Sequence, residues 1–236
     1  MHASNPENPA VLLISREETP LGTAAARLQE EGFSIHQFSE WQVPVWPPRQ
    51  RPDLILLDAV DLKRDSLSLC AAIRQRYYGP LMVLAGTNEE TFHILGLELG
   101  ADDVMAKPVS PSLLTARIKS LLRRHHHPKE SENTTIRHGD LTLNGGRREV
   151  YRGSSLVTLT TIEFDLLWYM ASRAGSVVSR DEIHQALYAS TYNGFNRAID
   201  LYISQLRHKL GDSPAAPRYL KTVRGIGYLF APTLQA

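Results

Sequence analysis

The sequence predicts an α/β domain with a doubly wound parallel sheet, followed by a smaller α+β domain of the winged-helix type. Three observations carry this. Apolar strand-like runs alternate with helical ones through the first half, a polar and aperiodic stretch interrupts the chain at 123–135, and the second half runs through short strands, three punctuated helices and a glycine-containing terminal hairpin. Strands apolar on both faces and separated by helices belong to parallel sheets covered on two sides.

In the first half the strands are "AVLLIS", "DLILLDAV", "LMVLAG" and "DDVMA". The first helix runs from Leu21 to Glu30, with Thr19 as N-cap, Pro20 at its first helical position and Gly32 past its end. Further helices are read over Leu67 to Arg76, Glu89 to Leu99 closed by Gly100, and Ser110 to Arg124. In such a sheet ligands bind beyond the carboxyl ends of the strands. That singles out Ser15 to Glu17, Asp58, Ala85 with Gly86, and Lys107.

The stretch "RRHHHPKESENTT" has the composition of a flexible linker. Its three adjacent histidines point in different directions and do not make a metal site. The domains are therefore expected at 1–122 and 136–236, joined by 123–135. The second opens with the alternation "IRHGDLTLN", the turn Gly145-Gly146, "RREVYR" and "SSLVTLT". Thr160 with Glu163, and Ser179 with Glu182, fit the capping box, in which hydroxyl and carboxylate satisfy free N–H groups reciprocally. The first of these helices carries Phe164, Leu167, Trp168 and Ala171 and ends at Gly175; a third, Arg197 to Leu210, follows Asn196 and stops at Gly211. "YLKTVRGIGYLFAP" closes the chain as two strands around an Arg-Gly-Ile-Gly turn.

Charge divides the halves. Residues 1–122 hold 11 Lys and Arg against 15 Asp and Glu, net −4, and residues 123–236 hold 15 against 10, net +5. A basic module is drawn to a phosphate backbone whatever its sequence. The start "MHASNPENPA" lacks a signal peptide's basic and apolar regions, and no run approaches the ~18 apolar residues of a membrane span, so a cytoplasmic protein with no membrane partner is expected. Cys70 is the only cysteine and reads as a small hydrophobe on a helix. No GxGxxG or Walker-type glycine loop follows a strand, and no nucleophile-plus-base pattern is visible, so the chain is not read as an enzyme.

The third helix is amphipathic, and its exposed face is either a solvated surface or one that contacts DNA. At about 100° per residue, Ile199, Ile203, Leu206 and Leu210 share one stripe and form its core face. The opposite face holds Arg197, Leu201, Ser204 and His208, with Gln205 and Tyr202 towards one flank and Arg207 towards the other. Glutamine pairs with adenine, leucine meets a thymine methyl, and arginine clamps guanine or phosphate. The hairpin adds Lys221, Thr222 and Arg224 beside Gly225 and Gly227, a wing suited to the minor groove. Asp200 is expected to hold an arginine rather than touch DNA.

The segments "TTIEFDLLWYMASRAGSVVSRDEI", "NRAIDLYISQLRHKL" and "YLKTVRGIGYLFAP" resemble the effector domain of the OmpR/PhoB family of two-component response regulators, in its RstA-like branch. "PDLILLDAV", "LGADDVMAKP" and "SPSLLTARIKSLLRR" resemble the same family's receiver. The resemblance implies a five-stranded, flavodoxin-like receiver sheet and a DNA-binding transcription regulator. It implies DNA contacts at Arg197, Leu201, Tyr202, Ser204, Gln205, Arg207, Thr222 and Arg224, and a loop from Tyr188 to Phe195 that meets RNA polymerase. A cognate histidine kinase is the family's usual partner.

Every departure from the family pattern falls in the receiver. The phosphoacceptor is kept as Asp58 and its partner as Lys107, but the two acidic residues closing the first strand read Arg16 and Glu17. The switch hydroxyl is Ala85, the coupled aromatic is Val104, and an aspartate-glycine loop reads Asp65-Ser66. Glu17 and Asp58 are then the only carboxylates for Mg²⁺, beside a guanidinium that repels it. No cofactor is implied beyond that weakened Mg²⁺ site. Arg16 is expected to pair with Asp58 or Glu17, imitating the metal's charge. The family's dimer face maps to His93, Leu95, Glu98, Asp103, Leu113, Arg117 and Lys119, more apolar here at Leu95 and Leu113. The expectation is a dimeric DNA-binding regulator with a degenerate, largely phosphorylation-independent receiver; the alternative is a phosphoswitch using Asp58 with a weakened Mg²⁺ site.

Overall fold

The computed structural model of the chain describes residues 8–16, 21–40, 42–44, 51–59, 64–87, 90–126, 135–188 and 197–231. Two compact units divide it, Met1–His125 and His126–Ala236. The first contains β1 (Ala10–Ile14), α1 (Thr23–Glu30), β2 (Ser34–Phe38), β3 (Leu54–Ala59), α2 (Arg64–Arg74), β4 (Leu81–Ala85), α3 (Glu90–Glu98), β5 (Asp103–Ala106) and α4 (Pro111–His126). The five strands are parallel in the order β2-β1-β3-β4-β5. The chain runs from β1 to β2 on one side and then to β3 on the other, so the switch point lies between β1 and β3, and the carboxyl ends of those strands are where this architecture places its site.

Every residue of β3 and β4 is buried, as a central parallel strand requires. Val11, Leu13, Leu54, Leu56, Met82 and Leu84 form one core with Leu28 of α1 and Leu114, Ile118 and Leu121 of α4. β2 was not legible as a strand: "SIHQF" lies at the sheet edge, half-exposed, and has no apolar run. The start of α1 also differs from expectation. Thr19 and Pro20 lie outside the described residues, and the helix begins at Thr23 behind Gly22, whose φ of 49° favours glycine. Asp65 and Ser66 belong to the first turn of α2 rather than to a loop. α4 continues to His126, so the first residues assigned to the linker are helical; 127–134 lie outside the described residues.

The second unit begins with the antiparallel meander β6 (Thr135–His138), β7 (Leu141–Asn144), β8 (Glu149–Arg152) and β9 (Ser155–Val157). The alternation "IRHGDLTLN" is thus two strands, broken at Gly139 with φ 59°. Next come α5 (Thr161–Ala171), β10 (Val177–Ser179), α6 (Arg180–Tyr188), α7 (Arg197–Leu210), β11 (Leu220–Val223) and β12 (Gly227–Phe230). Both capping boxes form: Thr160 Oγ1 and Glu163 exchange hydrogen bonds at the start of α5, and Ser179 and Glu182 do so before α6. A three-stranded sheet, β10-β12-β11, closes the unit. β10 escaped the sequence because three residues are too few to show a period.

Candidate functional site

Ile199, Ile203, Leu206 and Leu210 of α7 are fully buried, as their stripe predicts. On the opposite face Ser204 and His208 are exposed and Leu201 and Gln205 half-buried. The side chain of Arg197 lies outside the described residues. Beyond the helix, the β11–β12 hairpin exposes Lys221, Thr222 and Arg224, and its turn passes through Gly225 at φ 75°.

Two residues assigned to DNA contact are not on this surface. Tyr202 is 1% exposed, and its hydroxyl accepts from Tyr188 Oη at 3.2 Å. Arg207 is 9% exposed and turned towards the hairpin, giving Nη2 to Leu220 O at 2.7 Å and to Thr222 Oγ1 at 2.8 Å, and Nε to Leu220 O at 3.1 Å. Helical projection put both on flanks, and the packed hairpin and α6 cover those flanks.

Asp200 does hold an arginine. Its Oδ1 accepts from Arg180 Nε at 2.7 Å and from the Tyr228 hydroxyl at 2.5 Å. Burial first, then the hydrogen bond to Asp200, push the Tyr228 phenol up to about 12, so it remains a donor at neutral pH. Arg180 and Tyr228 were not singled out from sequence, since nothing local marks two groups 48 residues apart as neighbours.

In the first unit, Asp58 at the end of β3 is 2% exposed. Its Oδ2 accepts from Ser15 Oγ at 2.9 Å and its Oδ1 faces Lys107 Nζ at 2.6 Å. The register explains this pairing: Ile14 lies opposite Leu57, so the next residue, Ser15, meets Asp58. The side chain from the end of β1 that meets the carboxylate is therefore a hydroxyl, one position before the residues to which the acidic pair was assigned. Arg16 is exposed, and Glu17 lies outside the described residues. Ala85 is buried, and Val104 packs so closely under α3 that a Cβ at Gly96 would lie 2.9 Å from its Cγ2.

Residues 153–230 match the family described as "Transcriptional regulatory protein, C terminal". The chain is 36% identical over 193 residues to the transcriptional regulatory protein RstA of Escherichia coli K12, covering 78% of this chain and 81% of that one. It is 34% identical over 230 residues to the alkaline phosphatase synthesis transcriptional regulatory protein PhoP of Bacillus subtilis 168, covering 94% and 96%. The chain belongs to the OmpR/PhoB family of response regulators. Among solved structures, a RitR mutant aligns at 25% identity with a TM-score of 0.71 over 95% of this chain and 99% of that one. Like the other members of the OmpR/PhoB family, this protein is a DNA-binding transcriptional regulator. Among the described residues no helix is long and apolar enough to cross a membrane.

The OmpR/PhoB receiver implies Mg²⁺ beside the phosphoacceptor; of the two carboxylates expected to hold it, Asp58 is among the described residues and Glu17 is not. Octahedral oxygen ligation needs carboxylate oxygens turned to the ion. Here Ser15 and Lys107 engage both oxygens of Asp58, the end of β1 offers Asp58 a hydroxyl, and among the described residues no three His, Cys, Asp or Glu side chains gather as ligands. On the family's dimer face, Leu113 is 49% exposed, Glu98 and Lys119 are exposed and Leu95 is half-buried. His93 is 6% exposed and packs inward, which corrects its assignment to that face. Arg117 pairs with Asp103 at 3.3 Å within the chain, and Lys119 with Glu31. In the loop assigned to RNA polymerase, 189–195 lie outside the described residues.

Proposed function

We propose that this regulator binds tandem or inverted half-sites as a homodimer, reads bases with Leu201, Ser204, Gln205 and His208, and works largely without phosphorylation. The observation that carries the reading is the closed state of Asp58. Attack on a phosphodonor needs a carboxylate oxygen open to the donor and a cation to gather the transferred charge. Asp58 is buried with one oxygen on Ser15 and the other on Lys107, so an internal hydroxyl and an internal cation already hold the carboxylate where a metal would supply positive charge. With Ala85 and Val104 downstream, neither a hydroxyl nor a rotating ring would report a phosphoryl group. Dimerisation through α3, β5 and α4 then rests on the exposed Leu113 and the half-buried Leu95, since apolar burial needs no trigger.

A duplex selected by the full chain from a randomised pool tests this. Affinity is expected to be the same with and without acyl phosphate and Mg²⁺, and Asp58→Ala is expected to leave it intact. A gain of about tenfold on phosphorylation, about 1.4 kcal/mol, overturns it. The place of Asp58 near the carboxyl end of β3, where this architecture puts its site, favours the second reading, a weak phosphoswitch that uses Asp58 with a weakened Mg²⁺ site. Mg²⁺-dependent phosphoryl incorporation at Asp58 separates the two.

A further inference from the structure

The hairpin is held by α7 itself, at two points. Asp200 and Arg207 are seven residues, about two turns, apart and so fall on one flank of the helix. Arg207 grips β11 through Leu220 O and Thr222 Oγ1, and Asp200 grips β12 through the Tyr228 hydroxyl. Tyr228 also meets two guanidinium groups, with Arg180 Cζ 4.9 Å and Arg207 Cζ 6.0 Å from its ring centroid. Arg180 Nη2 donates to its hydroxyl at 3.3 Å, which ties the start of α6 into the same assembly.

We infer that Arg207 is a positioning residue, a strut that sets the distance between the reading face of α7 and the wing tip at Arg224. The inference rests on the reading of α7 and the wing as DNA contacts. A planar guanidinium presents its donors in a fixed fork, and here Nε and Nη2 converge on Leu220 O while Nη2 also reaches Thr222. An ammonium has three donors but carries them on a flexible stem without that fixed fork, so it holds the two acceptors less rigidly. Because these donors are turned inward and the residue is nearly buried, its effect on DNA passes through the wing. Base contacts in one groove and Arg224 in the next are then read at one separation, so the strut controls how much of the wing's binding is realised.

The test is a double-mutant cycle on the full chain, with the selected duplex as probe and dissociation constants measured at one salt concentration. R207K keeps the charge and loses the fork. It is expected to weaken binding about tenfold in the parent but less than about twofold in R224A, because a residue acting through the wing has nothing left to position. T222V removes one acceptor from an exposed, near-isosteric side chain; it is expected to cost about threefold with the same dependence on Arg224, and carries the test should R207K fail to fold. Equal costs in both backgrounds overturn the inference, since Arg207 would then touch DNA directly. R207K and T222V both binding like the parent overturn it too. R224A binding like the parent would show that the wing makes no contact, which sinks the underlying reading and this inference with it.

Discussion

Asp58 illustrates how one carboxylate changes meaning with its neighbours. Facing Mg²⁺ it would be a nucleophile; held by Ser15 and Lys107, it acts in the reading proposed above as a brace joining the ends of β1, β3 and the segment after β5. Lys107→Met keeps the stem and removes the charge, leaving a buried carboxylate without its cation. Breaking a buried pair in this way costs about 3–5 kcal/mol, and the partial exposure of Lys107 places the expected loss near the lower figure. Calorimetry of the full chain should show the first unit melting lower and the second unchanged; an unshifted first transition would mean that the pair does not hold the pocket. Asp58 and Lys107 were legible from sequence, whereas Ser15 was named only as part of a strand end. Tyr202 and Arg207 show the same limit. Each lies about 70° from the centre of the α7 core stripe, where projection alone does not say which neighbour will cover it.

Elements built from local chemistry were read well. The capping box of α5 needs only Thr160 and Glu163, and the stripe of α7 needs only the period of the helix. The strands missed, β2 and β10, owe their state to partners distant in sequence: β10 exists because β12 lies beside it, with Val178 opposite Tyr228 and Ser179 opposite Gly227. That last pairing has a consequence. A Cβ at Gly227 would lie 2.0 Å from Val178 O, and a backbone carbonyl in a ladder cannot move aside cheaply. Gly227→Ala is therefore expected to separate β12 from β10 and destabilise the second unit by about 1–3 kcal/mol, with weaker DNA binding because the wing hangs on β12. Thermal unfolding of that unit together with binding to the selected duplex checks this, and a variant that keeps both parental values contradicts it.

For the molecule as a whole, the acidic first unit and basic second unit fit a regulator with one module for control and one for a polyanion. Stability should also depend on pH through His93. Burial holds its imidazole below the ordinary value near 6.5, so the folded state binds fewer protons than the unfolded chain. The corresponding stability is present above about pH 6.5 and is lost as pH falls through that value towards the folded one. Comparing melting of the first unit at about pH 7.5 and pH 5.5, the parent should fall further than His93→Gln, which cannot take up the proton. Equal falls would show that His93 does not contribute.

The sequence by itself determined the two-domain plan, most elements, both capping boxes, the core stripe of α7 and the family, because these depend on residues within a few turns of one another. The tertiary structure alone decided which side chains meet: Ser15 with Asp58 across 43 residues, Arg180 with Tyr228 across 48, and Arg207 with Leu220 and Thr222 of the wing. Strand register and the covering of a helix flank are set by pairing between distant segments, and a residue's role in the site changes with the neighbour that pairing supplies.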